Sequence, residues 1–135
     1  MNGVGQIERI TQNRVVKLFQ DELGYDYLGN WEEREYNSNI EVDLLTAFLK
    51  RKGYTDTQIS KAIFELQTTA TNFNDSLYTT NKNVYEKLRY GIKVKAEAGE
   101  NYETIKLFNW KKLKDNDFAI AEEVTIKGNK TKRPD

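Results

Sequence analysis

The sequence predicts an α/β domain in which helices come first and an antiparallel meander of strands follows. Up to Gly91, apolar residues recur at three- and four-residue spacing, which is typical of helices with one buried face. From Ile92 onwards they alternate with polar residues, as in half-exposed strands. The length of 135 residues favours one domain. We therefore expect a frayed start over residues 1–10, a mainly helical part over 11–91 and a mainly strand part over 92–135.

The composition excludes several kinds of chemistry. Lys and Arg together number 21, as do Asp and Glu, so the chain lacks the overall positive charge of a small nucleic-acid binder. It has no cysteine and no histidine, which excludes disulfides, thiolate zinc sites and imidazole bases. Any metal would be held by oxygen atoms and would resemble magnesium. With no signal peptide and no membrane-spanning apolar run, the default expectation is a soluble cytoplasmic protein.

The first helix is expected to open at Thr11 and to end at Gly24, where a left-handed cap is wanted. On one side of this helix Gln12 and other polar residues would face water or a partner. The opposite, buried face would consist of Val15, Leu18, Phe19 and Leu23.

Three further helices are expected. The second begins near Ile40 and ends at Gly53. Thr55–Gln58 matches a capping box and opens the third, so the two helices should form an αα-hairpin. The fourth covers Asn81–Tyr90 and is capped by Gly91.

Strands are expected over residues 92–96, 104–110 and 118–126. Gly128 and Asn129 form a tight-turn dipeptide. A fourth strand would begin near Arg133, which precedes a proline and is therefore biased towards extended backbone.

Acidic residues at two places leave alternatives open. Glu122 falls on the apolar row of the third strand, so it is a bulge, a buried paired carboxylate or a residue aimed at a site. The run Glu32, Glu33 and Glu35 is either a metal-binding cluster or a solvated loop. We favour the solvated loop, because runs of acids are usually exposed.

The last stretch, Val124–Asp135, resembles the entry to a metal-dependent nuclease site. A strand and a turn lead into the dipeptide Pro134–Asp135. Two carboxylates on adjacent strands and a nearby lysine could hold Mg²⁺ and hydrolyse a phosphodiester. Pro-Asp is also common in ordinary turns, so the dipeptide by itself is a weak signal. The cations before the acid are candidates for phosphate contact, against a solvated turn as the alternative: Lys127, Lys130, Lys132 and Arg133.

From Glu8 onwards, the chain resembles the N-terminal nuclease domain of the R (restriction and translocation) subunit of type I restriction-modification enzymes. No single segment is diagnostic, but the order and spacing of the segments are specific together. The segments that carry the resemblance are Arg14–Phe19, Glu22–Trp31, Asn37–Ile40, Asn81–Val94, Lys106–Trp110, Asn116–Phe118 and Lys132–Asp135.

The resemblance implies a restriction-endonuclease-like PD-(D/E)XK fold, an α/β/α core with a mixed sheet, in which Asp135 is the first metal-binding carboxylate. The family's Glu-x-Lys would follow Asp135, so the fold is expected to be truncated before the second catalytic strand and inactive alone. Other nucleases of this fold use a first-helix acid as an extra ligand, which makes Glu8 and Glu22 candidates, against surface or capping roles.

The resemblance further implies a longer enzyme that cuts double-stranded DNA with Mg²⁺. ATP would act only through translocase domains that are absent from this sequence. The partners would be the methylation (M) and specificity (S) subunits of the same complex. The competing hypothesis is a non-catalytic α+β module that docks on a partner protein, which the neutral net charge and the lack of histidine mildly favour.

Overall fold

A computed structural model describes residues 3–72, 74–95, 97–127 and 131–132. The side chains of residues 3, 4, 127, 131 and 132 lie outside the description. Contacts divide the chain into two compact units. The split unit comprises Met1–Asn39 with Asp117–Asp135, and the central unit comprises Ile40–Asn116.

The described residues form helices and short strands, which confirms the α/β class. In chain order the elements are α1 (Gly3–Asp21), β1 (Asp26–Asn30), α2 (Val42–Arg51), α3 (Asp56–Ala70), α4 (Leu77–Tyr90), β2 (Ile92–Val94), β3 (Glu103–Ile105), a 3₁₀ turn (Leu113–Asp115), β4 (Ala119–Glu122), β5 (Ile126–Lys127) and β6 (Thr131–Lys132). None of these helices is long and apolar enough to cross a lipid bilayer.

The strands of the described part of the chain pair in three two-stranded sheets rather than in one meander. The pairs β2–β3 and β5–β6 are antiparallel, as the sequence predicts. The prediction is wrong for β4, which pairs in parallel with β1. Parallel neighbours need a long crossover, and here the whole central unit lies between the two strands in sequence. Local alternation cannot reveal such a distant partner.

Helix α1 begins at Gly3, so the predicted frayed start and the predicted opening at Thr11 are both wrong. The segment between them contains the helix formers Gln6, Glu8 and Arg9, and its glycines, Gly3 and Gly5, lie in the first turn. The buried face is also rotated from the predicted one, with Val16 buried. The predicted core residues that are instead exposed are Val15, Leu18 and Leu23.

Contacts between aromatic rings pack α1 against other parts of the split unit. Phe19 meets Tyr25 edge to face at 4.9 Å between ring centroids. Tyr25 stacks on Phe118 at 5.1 Å, which brings the start of β1 next to the start of β4. Such pairs contribute roughly 0.5–1.5 kcal/mol beyond their buried area. The rings therefore select which face of α1 is buried.

The capping box that opens α3 is confirmed. The Gln58 N–H donates to Thr55 Oγ1 at 3.2 Å, and the Thr55 N–H donates to Gln58 Oε1 at 2.9 Å. Helices α2 and α3 pack together as predicted, and they share one core with β2 and β3. The buried members of this core are Phe48, Leu49, Ile59, Ala62, Ile63, Leu66, Ile92, Val94, Ile105 and Leu107.

Three element ends differ from the predicted ones. Helix α4 begins at Leu77 rather than Asn81, because the hydroxyl of Ser76 accepts the Thr79 N–H at 3.1 Å. Strand β3 ends at Ile105. Strand β4 ends at Glu122, since the next residue has a φ of 57° and cannot continue a strand.

Candidate functional site

The structure places the backbone that leads into the predicted nuclease site. Lys127 lies in β5 and Lys132 in β6, which form an antiparallel hairpin. Their side chains lie outside the described residues. Lys130, Arg133 and Asp135 lie wholly outside them, as does the predicted turn at Gly128–Asn129. The described strand β6 therefore ends three residues before the candidate metal ligand, and the roles of these five residues stay predictions.

The parallel pair β1–β4 fixes the position of Glu122. Asn30 pairs with Glu122 at the end of the ladder, and the Trp31 N–H donates to the Glu122 carbonyl at 2.8 Å. The register slips between Tyr27 and Gly29, which marks a bulge in β1. Backbone hydrogen bonds from β1 and from the residue after it thus hold Glu122 in place.

The carboxylate of Glu122 is buried and paired. The residue is 6% exposed. Its Oε2 atom accepts hydrogen bonds from Arg9 Nη1 at 2.9 Å and from Gln12 Nε2 at 3.0 Å. A buried charge is tolerated only when it is compensated in this way. Of the three interpretations of Glu122, the buried paired carboxylate is confirmed.

Sequence reasoning missed the two helical partners of Glu122. Gln12 was predicted to face water or a partner, which is wrong, and Arg9 fell in the predicted frayed start. With α1 beginning at Gly3, Arg9, Gln12, Val16 and Phe19 follow one another at spacings of three and four residues, so they share one helical face. This stripe, polar at its start and apolar at its end, is the sequence pattern that could have predicted the face of α1 that meets Glu122.

Tyr27 also interacts with Glu122. We call Glu122, Arg9, Gln12 and Tyr27 the Glu122 cluster. Desolvation raises the pKa of Tyr27 above its ordinary value, and the negative charge of Glu122 and the hydrogen bond to it raise this pKa further. The positive charge of Arg9 acts in the opposite direction. The cluster thus favours the protonated phenol, which can donate to the carboxylate.

We expect Glu122→Gln to lower the pKa of Tyr27, because it removes the negative charge that opposes ionisation of the phenol. Since the folded chain holds this proton more tightly than the unfolded chain, the linked stability is present below the pKa of unfolded tyrosine. It is lost as the pH rises through the folded pKa. Urea titrations at alkaline pH should show a shallower loss of stability for Tyr27→Phe than for the parent.

The other acidic candidates are exposed. Glu8 and Glu22 lie on the surface of α1 and just after it, and Glu32, Glu33 and Glu35 are exposed in the loop after β1. Within the described residues, no three acidic side chains come close enough together to hold a metal ion. The exposure of these acids fits surface and solvated-loop roles.

A comparison with protein families finds the same family that the sequence resembles. The family described as the type I restriction enzyme R protein N terminus matches residues 6–135. Neither curated proteins nor solved structures gave a match. The family match reaches both units and includes most of α1, Glu122 with its partners Arg9 and Gln12, and the β5–β6 hairpin. The chain belongs to the family of type I restriction enzyme R protein N-terminal regions, and its role lies in that restriction enzyme.

Proposed function

We propose that this chain is the N-terminal part of an endonuclease domain that cuts double-stranded DNA by Mg²⁺-dependent phosphodiester hydrolysis. The observation that carries the proposal is the family match, which extends through the hairpin β5–β6 to Asp135. In this proposal Asp135 is the first metal-binding carboxylate of a PD-(D/E)XK core. The second carboxylate and the lysine come from a strand that follows it.

The donor set of the chain suits magnesium. With no histidine and no cysteine, only oxygen atoms remain as protein ligands, and Mg²⁺ prefers oxygen. A bound Mg²⁺ would supply the Lewis acidity that phosphodiester hydrolysis requires. Arg133 precedes Pro134 and is therefore biased to extended backbone, which would suit a metal ligand at Asp135.

The cations next to Asp135 would position the substrate. Lys127 and Lys132 belong to the two strands of one hairpin, and Lys130 and Arg133 are their neighbours in sequence. We propose that these four residues contact DNA phosphates around the cleaved bond. Strands hold such groups more accurately than loops do.

The Glu122 cluster gives the split unit a structural support for this site. Glu122 joins α1 to β4 through Arg9 and Gln12, and β5 follows β4 after three residues. We propose that this buried ion pair sets the direction in which the chain leaves β4 towards the hairpin. ATP would enter through translocase domains of a longer R subunit, and the M and S subunits would supply methylation and sequence recognition.

The experiment is to compare the 135-residue chain with a polypeptide that extends through the following strand. We expect the longer polypeptide to nick plasmid DNA when Mg²⁺ is present and to stop when EDTA is added. The shorter chain should be inactive, because it would lack the second carboxylate and the lysine. Robust cleavage by the purified shorter chain, or metal-independent cleavage by the longer one, would contradict the proposal.

A second candidate function is a non-catalytic docking module. The observation that favours it is a set of exposed apolar side chains on α1 opposite the Glu122 face: Ile7, Ile10 and Leu18. The discriminating measurement is the cleavage assay above, together with the sequence of the following strand. A following strand without Glu-x-Lys, and no cleavage by the longer polypeptide, would favour docking.

A further inference from the structure

Two short cationic runs that lie far apart in sequence meet in the central unit. One is Lys50–Lys52 at the end of α2, and the other is Lys111–Lys114 around the 3₁₀ turn. Arg51 Nη2 donates to the backbone carbonyl of Asp115 at 2.7 Å, and Lys52 Nζ lies 3.5 Å from Asp115 Oδ2. We name the six cations of these runs the Asp115 patch: Lys50, Arg51, Lys52, Lys111, Lys112 and Lys114.

The patch concentrates positive charge on a chain whose net charge is zero. All its cations are exposed except Lys52, which is half-buried. Its ion pairs include Lys52 with Asp115 and Lys50 with Asp56, the latter at 3.7 Å in an exposed and therefore weak pair. The loop run Lys111–Lys114 contains three lysines and no acid. Cations at the end of α2 also stabilise the helix dipole, but that role does not account for the three lysines of the loop.

The loop that carries those three lysines is held in one conformation. Asn116 Nδ2 donates to the carbonyls of Asn109 and Leu113, at 2.9 and 3.1 Å, and Asn116 Oδ1 accepts the Asn109 N–H at 2.7 Å. Asn109 Oδ1 in turn accepts the N–H groups of Lys111 and Lys112, at 3.1 and 2.8 Å. Fixing the backbone beforehand reduces the entropy that a ligand must overcome on binding.

We propose that the Asp115 patch binds the phosphate backbone of duplex DNA, an inference that rests on the proposed action of this chain on DNA. Lysine ammonium groups on flexible stems suit sequence-independent phosphate contacts. The loop run Lys111–Lys114 presents one large apolar side chain, Leu113, whereas the centre of a protein–protein interface is apolar and depleted of lysine. The patch therefore fits a nucleic-acid backbone better than it fits an acidic protein surface.

The test is binding of a fluorescein-labelled duplex by the 135-residue chain, measured by anisotropy over a salt series without Mg²⁺. The patch variant carries Lys111→Gln, Lys112→Gln and Lys114→Gln. The matched control carries Lys17→Gln, Lys82→Gln and Lys93→Gln, which removes the same charge from other exposed positions. Circular dichroism melting curves check that both variants are folded.

We expect the patch variant to raise Kd about tenfold or more and to reduce the slope of log K against log salt by about two to three, the value for three lost phosphate contacts. The control should stay within about twofold of the parent, as expected for positions that contact no phosphate. Equal effects of the two variants, or no effect of either, would overturn the patch. If the patch variant binds DNA as the parent does but no longer binds the M and S subunits, the patch contacts a protein partner. That result would likewise overturn the proposal.

Because this assay contains no Mg²⁺ and measures no cleavage, its outcome is separate from that of the nuclease proposal. If the longer polypeptide cleaves DNA in a metal-dependent way but the patch variant binds duplex DNA as tightly as the parent, only the patch proposal is rejected. Patch-dependent binding without cleavage would leave the patch in place and reject catalysis.

Discussion

Replacing Asp135 with alanine in the longer polypeptide should lower Mg²⁺-dependent DNA cleavage by at least about a hundredfold, since changing even the outer-shell partners of a metal ligand costs 10–100-fold. The substitution removes an oxygen ligand and one negative charge that would hold the ion. The measurement is the initial rate of plasmid nicking as a function of Mg²⁺ concentration. A matched control is Glu35→Ala, which removes an exposed acid from the loop after β1.

Two results separate a lost ligand from a lost fold. The Asp135→Ala variant should melt at the parent's temperature and should still bind duplex DNA, because the Asp115 patch is unchanged. Unaltered cleavage by a folded Asp135→Ala variant would remove Asp135 from the site. Equal losses for Asp135→Ala and Glu35→Ala would point to general electrostatics instead of metal binding.

Replacing Gly91 with alanine should destabilise the central unit by roughly 3 kcal/mol or more, since left-handed strain and overpacking each cost about 1–3 kcal/mol. Gly91 ends α4 with φ 87° and ψ 179°. An added Cβ would lie 2.7 Å from Thr104 Cγ2 and 2.8 Å from the backbone oxygen of Ile105. Ile105 is fully buried and pairs with Ile92, so neither strand can move away without disturbing the core.

Urea unfolding followed by tryptophan fluorescence would measure this loss, because Trp110 lies in the central unit. Gly99→Ala is the matched control: Gly99 has φ 89°, but beyond its chain neighbours an added Cβ would meet no atom of the described residues within 4 Å. It should cost only the left-handed strain, about 1–2 kcal/mol. Equal losses for the two variants would show that strain alone acts and that the close approach to Ile105 is unimportant.

Features set by a few neighbouring residues could be predicted from the sequence. The capping box Thr55–Gln58 needs only a hydroxyl and an amide three residues apart, and it is present. The change of period at Gly91 marks the true boundary between α4 and β2. The family was predicted from the order of short segments along the chain, and the match over residues 6–135 confirms it.

Features that depend on distant partners could not be predicted. The apolar spacing of α1 allows more than one face to be buried, and the rings of Tyr25 and Phe118 select the one that contains Val16. The parallel pairing of β1 with β4 joins residues separated by the whole central unit. Such pairings depend on loop closure and on packing against the rest of the molecule, which no local period records.

The sequence by itself thus determined the α/β class and the family, because both depend on residue types and their order, and the role of Asp135 as a metal ligand stays a prediction. Only the tertiary structure decided that Glu122 is a buried carboxylate held by Arg9 and Gln12, and that two cationic runs meet at Asp115. The physical reason is that a charge is buried or concentrated only by what surrounds it in space. Those surroundings come from parts of the chain about a hundred residues away for Glu122 and about sixty for the patch.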